Sequence, residues 1–219
     1  AKWCERYHCA GKYQIVSGKK AQTDVVYEVS GKYLELDETG TEFVITGENF
    51  RYRYDRVHGS FTSVVSSGAE MLSAPTRFEI WRAPIDNDAP MLGKWKQHFY
   101  DRASQKVYEC NAHKTDCKIE IITVMSLCTP VRTPVFKIEM RNVIDADGKI
   151  EVHANVIKTE VTKESGMYLP RFGMLLRMPA GSEYVKYYGR GPGENYIDKK
   201  LSSEIGIYET TVSELFTDY

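Results

Sequence analysis

Apolar and polar residues alternate with a period of two, and this alternation limits the folds open to the chain more than any other feature. Phe50, Tyr52 and Tyr54 alternate with charged residues, and the pattern recurs across residues 136–141 and 149–156. Each stretch places its apolar side chains on one face of a β-strand. Further strands are predicted over residues 25–29, 33–37, 43–46, 61–66, 76–82, 119–127, 169–177 and 183–188. Short strands separated by many turns predict an all-β antiparallel sandwich.

Two segments add local detail to this prediction. The Asp147-Gly148 step tolerates positive φ and therefore favours a hairpin between the strands predicted at 135–144 and 149–157. Leu92, Trp95 and Phe99 recur at helical spacing, which predicts one short amphipathic helix over residues 92–103, lying over an end of the sandwich.

The first 45 residues are interrupted by glycines and lack a clear alternation. They could form the opening strands of the sandwich, or a linker with remnants of a preceding β-sandwich domain. We favour the second interpretation, which divides the chain into residues 1–45 and a sandwich domain over residues 46–219.

The composition excludes some classes of partner. Lys plus Arg total 29 and Asp plus Glu 30, for a net charge of −1, so no electrostatic footprint for nucleic acid or an anionic membrane is present. No apolar run approaches the roughly 20 residues needed to span a bilayer. The five cysteines are an odd number in a long chain, which favours reduced thiols and a cytoplasmic location.

One polar string, WRAPIDND at residues 81–88, follows an apolar strand. Pro84 prevents its continuation as a central strand, so the acidic and amide side chains after it fall in a loop. Such a cluster could bind sugar hydroxyls or a cation. Alternatively, Asp and Asn satisfy backbone N–H groups in a tight turn while Arg82 pairs with one carboxylate.

A second string, YYGRGPGENY at residues 187–196, has glycine at three of five positions, so a sharply turning loop is predicted there. Arg190, Glu194 and Asn195 would project from this loop beside tyrosine rings, as in carbohydrate sites. The alternative is a structural loop held by an Arg–Glu pair. Pro192 removes a backbone donor, which argues against a phosphate-binding loop.

These strings carry a family resemblance. WRAPIDND, YGRGPGENY and the LPRFG at residues 169–173 resemble, in order and spacing, signatures of the small-chain domain of glycoside hydrolase family 2 bacterial β-galactosidases. The resemblance runs from about Asn49 to Tyr219. Ile197 stands where the family usually has proline, and the sequence stops where the family continues into further strands.

The resemblance implies an incomplete β-supersandwich of the galactose-mutarotase-like class that shapes the active-site pocket of a larger enzyme. In such retaining enzymes two glutamates on a (β/α)8 barrel cleave terminal β-D-galactosides such as lactose. We therefore expect neither catalytic residues nor a metal site on this chain, although the family typically uses Mg²⁺ and a monovalent cation. The residues expected to organise the pocket or contact carbohydrate are Arg82, Asp86, Asn87, Asp88, Arg171, Arg190, Glu194 and Asn195.

The expected partners are the catalytic barrel and other domains of the same β-galactosidase, with the galactoside substrate reached through that enzyme. Loss of covering strands could also lead to self-association, or to packing of residues 1–45 as substitute strands. Two other functions remain open, a stand-alone carbohydrate-binding module and an aldose-epimerase-like protein. The epimerase would need a general acid and a general base in one pocket, and no pairing among the five histidines is evident in the sequence.

Overall fold

The structure is a computed structural model that describes residues 12–15, 17, 28–31, 33–130, 134–159, 167–196 and 198–216. Its strands are β1 (Leu34–Glu38), β2 (Glu42–Gly47), β3 (Phe50–Asp55), β4 (Ser60–Ser66), β5 (Ala69–Glu70), β6 (Ala74–Glu79), β7 (Ser104–Lys114), β8 (Lys118–Cys128), β9 (Phe136–Asp145), β10 (Ile150–Lys158), β11 (Gly173–Arg177), β12 (Tyr184–Gly191) and β13 (Glu204–Thr211). Contacts divide the chain into two units, one with the described residues from 28 to 179 and one with those before and after. The all-β antiparallel prediction is confirmed.

The first layer of the larger unit is a sheet in the order β1-β2-β3-β4-β5. Ile45 of β2 pairs with Tyr52 of β3, and Phe43 pairs with Tyr54, so alternate residues of both strands share one face. Phe43, Ile45 and Tyr54 on this face are fully buried. The domain boundary predicted after residue 45 falls inside β2, which pairs with β1 on one side and with β3 on the other. The division into domains stays a prediction.

The second layer is a sheet in the order β10-β9-β8-β7. Its inner face contributes fully buried residues such as Ile121 and Ile138 to the same core as the first sheet. The Tyr54 hydroxyl reaches across the core to hydrogen-bond Thr123 Oγ1 at 2.8 Å. Burial is the main reason that the pKa of Tyr54 lies far above its ordinary value. Strands β6 and β11 form a separate pair that packs beside this sandwich.

The predicted hairpin forms between β9 and β10, where Gly148 adopts φ +88°. The carboxylate of Asp145 accepts hydrogen bonds from the Asp147 and Lys149 amides and so closes the turn. The apolar residues of β10 face the core side, but β10 is an edge strand of its sheet. Val152 is accordingly 43% exposed, although its alternation predicts burial.

The helix α1 spans Ala89–Gln97, and it is the one α-helix among the described residues. It begins three residues before the predicted start because Pro90 fits the first helical turn, where backbone N–H groups have no acceptor within the helix and proline's missing N–H costs nothing. It also ends earlier than predicted, because Phe99 takes the left-handed conformation at φ +58°. A short 3₁₀ turn at Tyr100–Arg102 follows. No described helix is long and apolar enough to cross a membrane.

The smaller unit contains the antiparallel pair β12 and β13. The side chain of Gln14 lies along β13, where Nε2 donates to the Ile205 carbonyl at 2.8 Å and Oε1 accepts from the Ile205 amide at 2.6 Å. This amide side chain therefore hydrogen-bonds the β13 backbone as a neighbouring strand would.

Candidate functional site

The WRAPIDND segment connects the end of β6 to α1. Residues 86–88 form a single 3₁₀ turn, and Asp88 directly precedes the helix. The Asp88 carboxylate accepts the Ile85 amide at 2.9 Å, so its side chain closes the turn in which it lies. Turn chemistry of this kind is common for aspartate because the short side chain reaches nearby backbone N–H groups.

Arg82 and Asp88 form a largely buried ion pair. The Arg82 guanidinium contacts both carboxylate oxygens, at 3.0 Å and 2.7 Å, and the Asp88 side chain is only 3% exposed. Arg82 Nε also donates to the Pro170 carbonyl at 2.8 Å. One guanidinium thus joins the loop before α1 to the LPRFG segment, which lies about ninety positions later in the chain.

Aromatic side chains pack beside this ion pair. Trp95 of α1 is fully buried, and its indole N–H donates to the Tyr168 carbonyl at 2.8 Å. The Trp95 ring lies edge-on to Tyr168 and to Trp81, with centroids 5.3 Å and 6.3 Å away. Edge-to-face packing of aromatic rings stabilises a fold beyond the contribution of the apolar surface that the rings bury. The cluster fixes α1 against the two segments that Arg82 joins.

The other residues expected at this site lie outside the ion pair. Asp86 and Asn87 are exposed at the start of the 3₁₀ turn. Arg171 is also exposed, although its backbone amide reaches the Ile80 carbonyl at 3.4 Å. The structure therefore brings Arg82 and Asp88 together and leaves Asp86, Asn87 and Arg171 at the surface.

The second string is less of a loop than predicted. Residues 187–191 belong to β12, and the chain leaves the sheet only at Pro192. Gly191 does not have a positive φ; the described glycines that do are Gly59, Gly68, Gly148 and Gly181. Gly191 is needed for close packing instead, since a Cβ there would lie 2.8 Å from the Tyr208 ring.

The Arg–Glu pair considered for this string does not form among the described residues. Arg190 instead donates to the backbone carbonyls of Lys200 and Ser203, at 3.2 Å and 3.0 Å. Glu194 pairs with Lys199 at 2.9 Å, and Asn195 donates its amide to the Arg190 carbonyl at 3.1 Å. Arg190 and Asn195 thus hold the backbone around the turn, and Glu194 adds an ion pair between two side chains. Ile197, the departure from the family pattern, lies outside the described residues.

Sequence reasoning missed a histidine–carboxylate pair. His58 Nδ1 lies 2.6 Å from Asp55 Oδ2 in the turn between β3 and β4, and both residues border a cavity of about 520 Å³. The only available signal was the three-residue spacing of the two, which is common in turns. Within the described ranges, no group of three or more His, Cys, Asp or Glu side chains is placed to hold a metal ion.

Comparison with known proteins matches this chain to β-galactosidases. The family model described as β-galactosidase small chain matches residues 46–219. A β-galactosidase of Actinobacillus pleuropneumoniae is 30% identical over 88% of this chain, and one of Lactobacillus delbrueckii subsp. bulgaricus is 31% identical over 84%. A β-galactosidase of the yeast Kluyveromyces lactis is 29% identical over 86%. The chain spans less than a fifth of the length of these relatives, at 19%, 18% and 18%.

Proposed function

This chain belongs to the β-galactosidase small-chain family, and on that premise we propose that it works as the non-catalytic small-chain domain of a larger β-galactosidase. The parent enzyme would hydrolyse terminal β-D-galactosides such as lactose with retention of configuration. Its two catalytic glutamates would lie on a (β/α)8 barrel elsewhere in the polypeptide, and this domain would help to shape the pocket.

The observation that carries this proposal is how the signature side chains are used. Arg82 binds Asp88 and the Pro170 carbonyl, while Arg190 binds the carbonyls of Lys200 and Ser203. A glycosidase needs an acid/base and a nucleophile that are free to reach the sugar. Side chains already committed to their own backbone suit a role in positioning loops rather than in bond cleavage.

The exposed members of the signatures give the domain its proposed contacts. Asp86, Asn87 and Arg171 lie at the surface, where they would face the catalytic barrel or the edge of the galactoside pocket. The Mg²⁺ and monovalent cation typical of the family would be bound by other parts of the enzyme. The parent is proposed to be cytoplasmic, in keeping with the free thiols of Cys110, Cys117 and Cys128.

The test is an activity assay with and without the rest of the enzyme. The purified chain should not hydrolyse a nitrophenyl β-galactoside above the buffer rate. Adding it to a parent β-galactosidase that lacks this domain should raise that enzyme's activity, whereas heat-denatured chain should not. Hydrolysis by the chain alone that survives further purification would contradict the proposal.

The same preparation separates the alternatives. Interconversion of galactose anomers by the isolated chain would indicate an aldose-epimerase-like protein, and saturable binding of galactosides would indicate a stand-alone carbohydrate-binding module. We expect neither result.

A further inference from the structure

The cavity beside the β3–β4 turn is lined by none of the side chains expected above to organise the pocket, and it has no role in the function proposed above. Its volume is about 520 Å³, and its walls come from that turn, from β6 and β11, and from the start of β7. Sites for small molecules commonly measure about 300–1,000 Å³ and combine apolar walls with a few polar groups. The cavity is therefore large enough for a ligand of the size of a phosphorylated hexose.

His58 borders the cavity in a fixed orientation. Its Nδ1 bonds to Asp55 Oδ2 at 2.6 Å, while Asp55 Oδ1 accepts the Val57 amide at 2.7 Å. Burial opposes ionisation of Asp55, but the hydrogen bonds from His58 and the turn amides outweigh it and hold the pKa of this carboxyl below its ordinary value. Because the carboxylate binds Nδ1, the Nε2 atom is left for another partner. The His58 side chain is 68% exposed, so a ligand can reach it.

The turn that carries His58 is also held from the neighbouring sheet. Gln105 of β7 donates Nε2 to the His58 carbonyl at 2.8 Å, and its Oε1 accepts the Phe78 amide of β6 at 2.6 Å. One amide side chain thus connects three walls of the cavity. A ligand would meet a site that is already arranged, which lowers the entropic cost of binding.

The charges around the cavity favour an anion. Arg177 of β11 lines it, and no carboxylate among the described residues pairs with this guanidinium. Arg77 of β6 also lines it and is bridged to Glu79 at 2.8 Å. Among the described residues, Asp55 is the one carboxylate on its wall, and its oxygens accept hydrogen bonds from His58 and the turn amides. The wall therefore presents cationic donors with little competing negative charge.

We propose that this cavity binds a small organic anion through a phosphoryl or carboxylate group held by Arg177 and His58. Guanidinium groups bind such oxyanions through parallel hydrogen bonds, and imidazole can add a further donor when protonated. The remainder of the ligand would lie against the apolar wall that Phe78 and Leu175 provide.

The test uses the purified 219-residue chain and NMR signals of the His58 ring. Sulfate is the minimal probe because it stays fully charged near neutral pH, and glucose 6-phosphate and glucose form a pair that differs only in the phosphoryl group. Sulfate and glucose 6-phosphate should shift the His58 signals saturably, and glucose should not. Arg177→Gln should weaken binding of glucose 6-phosphate about tenfold or more, the usual effect of losing a charged hydrogen bond.

Arg51→Gln is the matched control, because Arg51 is an exposed arginine on the opposite face of β3 from the core and does not line the cavity. The melting temperatures of both variants verify that they fold. Equal weakening by Arg51→Gln would show general ionic attraction and overturn the proposal. So would equal binding of glucose and glucose 6-phosphate, or the absence of any saturable shift with either anion.

Discussion

Replacing Arg82 with methionine tests whether the first signature stabilises the fold. The change keeps most of the side-chain length but removes the guanidinium that contacts both oxygens of Asp88 and the Pro170 carbonyl. Asp88, which is more than nine-tenths buried, would then lack its cation. Removing one partner of a buried ion pair typically lowers the free energy of unfolding by about 3–5 kcal/mol. Because Arg82 is 24% exposed, water can replace part of the lost contact, and we expect a loss of about 3 kcal/mol.

Urea unfolding monitored by tryptophan fluorescence measures this loss, since buried Trp95 and Asp88 both contact Tyr168. The double variant Arg82→Met/Asp88→Asn should lose less than the sum of the two single changes, because it leaves no uncompensated charge. Arg51→Met, at an exposed position, should change the free energy of unfolding by less than about 0.5 kcal/mol. An Arg82→Met variant as stable as the unsubstituted chain would refute this reasoning. It would mean that Arg82 is not needed for the fold and can bind a ligand instead.

Two further changes test the packing of the second signature and of the hairpin. Gly191→Ala should lower the free energy of unfolding by about 1–3 kcal/mol, because its Cβ would lie 2.8 Å from the Tyr208 ring. Gly193→Ala is the control, because no described atom lies within 4 Å of its Cβ, and it should melt like the unsubstituted chain; equal melting temperatures for the two variants would contradict this. Hydrogen bonds from Ser30 hold the pKa of Asp147 below its ordinary value. These bonds should therefore stabilise the fold fully above about pH 4, and the stabilisation should be lost as the pH falls through the lowered pKa. Asp147→Asn should therefore flatten the acid limb of a plot of melting temperature against pH, and an unchanged acid limb would argue against this contact.

The alternation of residues predicted most strands but not the two-residue β5, nor β7 and β13. Along β7 the inward side chains are Gln105, Val107, Cys110 and Ala112, and the irregularity between Val107 and Glu109 changes which residues face the core. A bulge interrupts a period of two, so the pattern disappears from the sequence although the strand continues. In β13 the alternating Ile205 and Ile207 do not mark a buried face, since both are exposed, and the strand forms only a two-stranded pair with β12.

The sequence predicted which segments form the site, but not which side chains pair with one another within them. Sequence reasoning found both polar strings and considered that Arg82 meets a carboxylate, yet it could not say which of the two candidates, Asp86 or Asp88, would be buried. One of its two interpretations of the second string paired Arg190 with Glu194, whereas Glu194 binds Lys199. Local spacing permits several ion pairs on one loop, and the choice among them depends on distant backbone, here the carbonyls that Arg190 reaches across the turn.

A common physical reason explains why arginine serves both signatures. Proline has no backbone N–H and interrupts strand pairing, so segments around it leave carbonyl groups that need other donors. Pro170 is such a residue, and its carbonyl is satisfied by Arg82. Arg190 binds the carbonyls of Lys200 and Ser203, which lie in and directly after the 3₁₀ turn Lys200–Ser202, where no strand pairs with them. The planar guanidinium offers five N–H donors in a fixed arrangement, which the single ammonium of lysine cannot reproduce. Both arginines thus hold together backbone segments that the sheets leave unpaired, a requirement of the fold that exists whether or not a galactoside is bound.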